Sequence, residues 1–378
     1  MSKKILKLGW EFPPHYLGGL GIACCDLIKS LSYHEIDIIF LLPYRHSVSI
    51  NRCVMLHPRK NIIDGNCLYT DQLMKNVNEF AQFAVSKAHE YSFDIIHAHE
   101  WMSFPAAIQV KKYAQKPLVI HFHATEFDRK AGKHLNKEIL AIESYGARYA
   151  DKVIAVSEYT KRIIIEQYAI NADKIAVIHN APPLSLYEEE PQQRAIKQWG
   201  PVILFLGRLT AQKGPDYFIA AAQRVLDYRN DVTFIITGDG DMMPALVQYA
   251  YRIGILDKIL FTGFLQGAAL RRMYQLADIY VMPSISEPFG LTALEAMYHG
   301  LPIIISENAG VTEIAKDCIV VNVHDIKQVA HAILMLLENS SLRVTMGARG
   351  RKLVKKLHWH HVAKQFIELY TELCDQKK

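Results

Sequence analysis

Short apolar runs of strand length recur along the whole chain, each separated from the next by a stretch long enough for a helix. In the first half they fall near residues 4–10, 36–42, 93–98, 117–122, 152–157 and 175–179. In the second half they fall near 201–206, 232–237, 258–262, 278–283, 301–305 and 318–322. Strands joined by helix-length connections predict parallel sheets with helices on both faces. Two such sets in 378 residues predict two doubly wound domains, each large enough for its own core. The expected divisions are a first domain over 1–184, a linker over 185–200, a second domain over 201–357 and a C-terminal helix over 358–378. The linker is read from the proline- and charge-rich run after Ala181. The last helix is read from the apolar spacing in His358-Trp-His-His-Val-Ala-Lys-Gln-Phe-Ile-Glu-Leu-Tyr370.

In open α/β sheets, ligands sit beyond the carboxyl ends of the strands. The strand near 278–283 ends in the loop Pro283 to Gly290, and a helix is predicted from about Leu291 to His299, stopped by Gly300. Free amides and the helix dipole make such a helix start a place for phosphate. Two carboxylates flank it, Glu287 in the loop and Glu295 in the first turns. One reading gives both to a ligand. The other makes Thr292-Ala-Leu-Glu295 a capping box, in which Glu295 serves only a backbone amide.

Other strand ends carry their own signals. The first strand leads into Gly9-Trp-Glu-Phe-Pro-Pro-His-Tyr-Leu-Gly18-Gly19-Leu-Gly21, a glycine-rich loop entering a helix from about Ile22. It does not match the dinucleotide pattern Gly-x-Gly-x-x-Gly, and a tight turn without a ligand competes. Next come His97-Ala-His99-Glu100-Trp101 and His121-Phe-His123-Ala-Thr-Glu126. A His-x-His pair puts both rings on one strand face, as a metal site requires. Without a matching cysteine or His-Glu-x-x-His spacing, buried or turn roles are favoured for His97 and His121, and no metal is expected. His123 and Glu126 lie beyond the strand end and are expected to face a cleft. In the second half, Gly207-Arg208-Leu-Thr-Ala-Gln-Lys213-Gly214 offers two cations between glycines, suited to a diphosphate or else to solvent. Gly238-Asp239-Gly240-Asp241 is read as a glycine turn with Asp241 capping the next helix, in preference to an Asp-x-Asp metal site.

Composition narrows the function classes. The 43 basic and 38 acidic residues leave a net charge of +5, spread too thinly for a nucleic-acid footprint. Six cysteines show no paired Cys-x-x-Cys spacing, which fits reduced thiols. No apolar run approaches the roughly 20 residues of a membrane span. The start lacks the apolar length of a signal peptide, and a cytoplasmic location is expected.

Together these residues resemble the retaining glycosyltransferases of family 4. The resemblance rests on Glu287-x7-Glu295, Gly207-Arg208-Leu with Lys213-Gly214, the Gly18-Gly19-Leu-Gly21 loop, Ile154-Ala-Val-Ser157-Glu158 and Ile178-His-Asn180, and it covers nearly the whole chain. It implies the GT-B fold, two Rossmann-like domains facing each other across a cleft, with the C-terminal helix crossing back to the first. It also implies a metal-independent hexosyltransferase without a cofactor, using a nucleotide-sugar donor such as ADP-glucose, UDP-glucose or GDP-mannose. By this resemblance Arg208 and Lys213 neutralise the diphosphate, and the amides near Gly290, Leu291 and Thr292 hold its oxygens. Glu295 binds the ribose, Glu287 the sugar hydroxyls, Gly19 admits the diphosphate, and His123 contacts the transferred sugar.

Trp10-Glu-Phe-Pro-Pro and His99-Glu-Trp101 look most like glycogen-synthase-type members, which points to an α-glucan acceptor. The short segment Pro43 to Asp64 departs from that type, so lipid-linked or surface-polysaccharide acceptors stand as alternatives. A basic first-domain face of Lys111, Lys112, Arg129, Lys130 and Lys133 would touch anionic lipid in a minority reading, against a solvated surface. A non-catalytic nucleotide-sugar-binding protein is the rival from another class. The sequence leaves the oligomeric state open.

Overall fold

The computed structural model describes residues 3–65, 68–69, 71–187 and 200–376. Most of the expected linker, residues 188–199, lies outside the described residues, as does Cys67. The chain divides into two compact units. The first comprises Met1–Phe127, His134–Ala181 and His358–Lys378; the second comprises Asp128–Lys133 and Pro182–Leu357.

The first unit holds strands β1 (Lys4–Leu8), β2 (Asp37–Leu41), β3 (Cys53–Leu56), β4 (Ile95–His99), β5 (Leu118–Phe122), β6 (Lys152–Ala155) and β7 (Ile175–Val177). They form one parallel sheet in the order β3-β2-β1-β4-β5-β6-β7. The helices along this part of the chain are α1 (Gly19–Ser32), α2 (Leu73–Glu90), α3 (Phe104–Ala114), α4 (Glu126–Arg129), α5 (Lys137–Tyr149) and α6 (Glu158–Tyr168).

The second unit holds β8 (Val202–Leu206), β9 (Thr233–Thr237), β10 (Ile259–Gly263), β11 (Ile279–Met282), β12 (Ile303–Ser306) and β13 (Ile319–Val321). Its parallel order is β10-β9-β8-β11-β12-β13. Its helices are α7 (Pro215–Leu226), α8 (Met243–Arg252), α9 (Gly267–Leu276), α10 (Leu291–Tyr298), α11 (Ile326–Glu338) and α12 (Ser340–Val354). The last helix, α13 (Trp359–Asp375), groups with the first unit.

Each sheet reverses direction once, between β1 and β4 and between β8 and β11. At such a point the flanking crossovers leave on opposite faces, and a crevice opens at the carboxyl ends of the two strands. Helices cover both faces, which is why β11 and β12 read as unbroken apolar runs buried at every position instead of alternating. Pro215 opens α7 after Gly214, and Phe218, Ile219, Ala221, Ala222 and Val225 form its buried stripe against Ile203, Phe234 and Ile236. In α13 the stripe is Trp359, Val362, Ala363, Phe366, Leu369, Tyr370 and Leu373, and Lys3 Nζ donates to Thr371 Oγ1 at 2.5 Å.

Twelve strands fall where the apolar runs predict them, and β3 is the exception. It is four residues long and lies at the sheet edge, with Val54 half-exposed, so it needs no apolar run to form. Two local expectations also change. Helix α1 begins at Gly19, inside the glycine loop, three residues before the expected start. Asp241 does not cap α8, whose cap position is Met242 without a side-chain bond, while Asp239 Oδ1 accepts from Gly240 N at 2.8 Å. Among the described residues, no helix is long and apolar enough to cross a membrane.

Gly347 on α12 packs against the end of α10. A Cβ there would stand 2.0 Å from the carbonyl oxygen of Gly300, a backbone atom that cannot swing away. Alanine normally favours a helix over glycine by about 1 kcal/mol. Here Gly347→Ala should instead destabilise by about 1–3 kcal/mol, read as a lower urea midpoint at unchanged slope.

Candidate active site

The switch point of the second unit gathers most of the expected residues. After β8, the chain runs through Gly207 and Arg208 into a 3₁₀ turn, Ala211–Lys213, and then Gly214. Close backbone packing fixes this loop. Gly214 has φ +64°, and a Cβ on it would fall 2.1 Å from the carbonyl oxygen of Pro283. The amide of Ile285 donates to Gln212 O at 2.9 Å, so the loops after β8 and β11 are tied together.

That tie brings Lys213 to Glu287, with Nζ donating to Oε2 at 2.6 Å. Ser284 Oγ lies 3.3 Å from the same oxygen. The Glu287 backbone is clamped as well: its amide donates to Asn308 O, and Gly310 N donates to its carbonyl, both at 2.9 Å. A charge-assisted pair on a fixed backbone holds its geometry better than one between free surface side chains. Arg208 is exposed, and its guanidinium has no protein hydrogen-bond partner among the described residues.

Helix α10 starts at Leu291 with Gly290 as its cap, at φ +112°, and glycine has no side chain to accept from its first amides. The capping box does not form. Thr292 Oγ1 instead accepts from Tyr280 Oη at 2.7 Å, and Glu295 Oε2 accepts from Tyr274 Oη at 2.9 Å. The first amides of a helix have no intrahelical carbonyl to serve, so those of Leu291 and Thr292 remain for an anion. Glu295 is buried, which raises its pKa to about 7; the Tyr274 hydrogen bond pulls the other way. The shift corresponds to a penalty of about 3 kcal/mol on the charged form. Its folded-state pKa is raised, so this carboxyl costs nothing below its ordinary range and loses stability for the chain as pH climbs through about 7.

In the first unit, the loop after β1 is held by Glu11, whose carboxylate accepts from Tyr69 Oη at 2.6 Å and Leu17 N at 3.2 Å. Gly18 and Gly19 follow at the helix start with no capping side chain. Gly21 is the packing glycine, since a Cβ there would stand 2.5 Å from Tyr16 Cβ. His123, half-buried after β5, has its Nε2 at 3.0 Å from His99 Nδ1. Burial, then the charge of Lys7, lowers its pKa to about 3, so the ring is neutral.

Glu100 was not among the expected residues, yet its Oε1 accepts from His123 N at 2.6 Å and Ala124 N at 2.8 Å. It does so from φ +67°, a conformation uncommon for a non-glycine residue. Glu126 does not face a cleft: it is buried and its carboxylate accepts from Asn136 N at 3.0 Å. The supposed basic face is also broken up. Lys111 is paired to Asp151 at 2.7 Å, and Lys130 and Lys133 group with the second unit.

Comparison with known proteins decides the family. The sequence profile for glycosyltransferase family 4 matches residues 17–185, and that for glycosyl transferases group 1 matches residues 187–353. An uncharacterised glycosyltransferase of Methanocaldococcus jannaschii is 31% identical, over 97% of each chain. The chain belongs to glycosyltransferase family 4. A glycogen synthase of Mycobacterium tuberculosis is 27% identical over 97% of this glycosyltransferase and 94% of its own length. The solved structure of the Anabaena protein HepE, in complex with UDP and glucose, superposes with a TM-score of 0.76 at 20% identity, covering 98% of this chain and 99% of that one. The two parallel, Rossmann-like sheets are those of the GT-B fold.

Sequence reasoning gave no role to Tyr274, Tyr280, Ser284, Asn308 and Glu100 because they act through other residues. Among the described residues, Tyr274→Phe removes the hydroxyl that favours a charged Glu295. The Glu295 pKa should then rise by about one unit, read by ¹³C NMR titration of labelled glutamate carboxyls.

Proposed function

We propose that this glycosyltransferase moves a hexose from a nucleotide-diphosphate donor to an acceptor hydroxyl, with retention of anomeric configuration and without a catalytic metal. The observation that carries this reading is the arrangement in the second unit. The uncapped start of α10, the Lys213–Glu287 pair and the buried Glu295 lie around one switch point. It supplies donors for a diphosphate and two carboxylates for hydroxyl groups. HepE, solved with UDP and glucose, and the glycogen synthase relative support a nucleotide-glucose donor.

In this reading the amides of Leu291 and Thr292 take diphosphate oxygens, and Arg208 and Lys213 meet its charge. An arriving diphosphate competes with Glu287 for Lys213, which frees Glu287 to accept from sugar hydroxyls. Glu295 accepts from the ribose. From the first unit, Gly19 lets backbone approach the diphosphate, and neutral His123 serves the sugar near its reacting carbon. The bond from the anomeric carbon to the diphosphate oxygen breaks with its electron pair on the phosphate. The acceptor oxygen bonds to the same face of that carbon, and its proton passes to the departing phosphate. Charge grows on the diphosphate, where fixed amides and cations stabilise it. The glycogen synthase relative favours an α-glucan acceptor.

The test is nucleotide release from ADP-, UDP- and GDP-sugars in the presence of chelator, with and without malto-oligosaccharide. Release from one donor, raised by the glucan, and about 10²–10³-fold slower in Arg208→Ala and Glu287→Ala, is expected. Binding without release from any donor would instead make it a nucleotide-sugar-binding protein. Nucleotide affinity should also depend on pH. The ribose hydroxyls bind the ionised carboxylate, so affinity should weaken as pH falls through about 7 in the parent and lose that dependence in Glu295→Gln. Calorimetric titration across pH 5.5–8.5, with the two proteins compared, isolates this group.

A further inference from the structure

Beneath His123, three more imidazoles fill the carboxyl ends of β4 and β5. His97 and His99 project from the same face of β4, and His121 stands in register opposite His99 on β5. All three are buried, at 0%, 1% and 2% exposure. Their ring centroids are 4.2 Å apart for His97 and His99, 5.1 Å for His99 and His121, and 5.5 Å for His97 and His121. One ring nitrogen from each lies within 4.8 Å of the other two.

Hydrogen bonding does not account for this cluster. Among the described residues, His97 Nε2, His99 Nε2 and both ring nitrogens of His121 have no partner. Buried polar atoms are nearly always paired, and four orphans in one place call for a reason. The other ring nitrogens are engaged: His97 Nδ1 is 2.6 Å from Tyr370 Oη, and His99 Nδ1 is 3.0 Å from His123 Nε2. For His97 and His99 this is the pattern of metal-bound histidines, one nitrogen held by a neighbour and the other left for an ion, whereas neither nitrogen of His121 is held.

We propose that His97, His99 and His121 form a structural site for one divalent transition-metal ion of the zinc class, joining β4 to β5 below His123. Three imidazoles with no oxygen donor suit zinc, cobalt, nickel or copper, and not magnesium or calcium. Ligation draws the nitrogens in from 4.8 Å toward the roughly 3.4 Å edge of a tetrahedron with bonds of about 2.1 Å. While His97 Nδ1 accepts from Lys7, the ring proton sits on Nε2; ligation there releases that proton, and Lys7 passes one to Nδ1. The sequence set these histidines aside for want of a spacing signal, because the third ligand comes from register across two strands. The site lies wholly in the first unit and does not depend on the proposed donor chemistry.

Lys7 opposes the ion. Its Nζ lies 3.1 Å from His97 Nδ1, a cation beside a proposed dication. Replacing it with a neutral side chain should therefore tighten binding, an effect that a cluster serving only to pack would not show.

The test uses untagged full chain, unfolded with chelator and refolded with or without zinc or cobalt(II), so that burial does not block loading. Expected are about one ion per chain after gel filtration, a cobalt d–d spectrum of low coordination number, and X-ray absorption that counts three imidazole ligands near 2.0 Å on the zinc form. His121→Asn should weaken binding about 100-fold, Lys7→Met should tighten it about tenfold, and the exposed pair His360→Asn/His361→Asn should leave it unchanged. Refolded chain that holds no stoichiometric ion, or metal lost with His360 and His361 but kept in His121→Asn, would overturn the proposal. Should His121→Asn fail to refold, the ligand count on the unaltered chain decides alone: three imidazoles support the site and two or fewer remove it.

Discussion

The structure depends on a constraint of chain geometry. Parallel neighbours in a sheet cannot be joined by tight turns, so every strand must be followed by a crossover that covers one face. Once the strand order reverses, two adjacent crossovers diverge and their loops are left around an open position. Both units obey this rule, at β1/β4 and β8/β11. The loops found there carry Glu11 to Gly21 and His99 to Trp101 in the first unit, and Gly207 to Gly214 and Pro283 to Gly290 in the second. The position of the chemistry follows from the winding of the sheet before any particular side chain is considered.

What the loops then do is set by how tightly they are tied. In the second unit, any side chain on Gly214 would collide with the Pro283 carbonyl oxygen, and Gln212 O accepts from the Ile285 amide. Lys213 and Glu287 meet because their backbones already do. Glu295 shows the complementary device. A carboxyl is kept away from water and given a tyrosine hydroxyl, so burial holds its pKa up at about 7 and added donors would favour its charged form.

Much of this was legible in the sequence. Unbroken apolar runs such as Ile303 to Ile305 announce buried parallel strands, and Gly290 with Glu287 and Glu295 announces a helix start suited to an anion. The capping-box alternative for Thr292 and Glu295 was equally consistent with the letters. It failed because Tyr280 and Tyr274, distant in sequence, claim both side chains. Strand β3 was invisible because an edge strand four residues long needs little apolar surface. Glu126 looked like a cleft residue for its position after β5, but the backbone turns it inward to serve Asn136. Local pattern reveals elements; partners far along the chain decide which way a polar group points.

The placement of α13 bears on how such a chain is made. The first unit is assembled from both ends of the sequence, with all of Pro182–Leu357 intervening. During synthesis its sheet emerges early, but the helix carrying Trp359, Phe366 and Tyr370 emerges only after the second unit. Until then His97 lacks the Tyr370 hydroxyl and α1 lacks the helix that packs on it. The second unit is complete on the ribosome before the first has its final helix, the reverse of their order along the chain. A stop codon just before Trp359 would therefore damage the unit whose sheet is translated first.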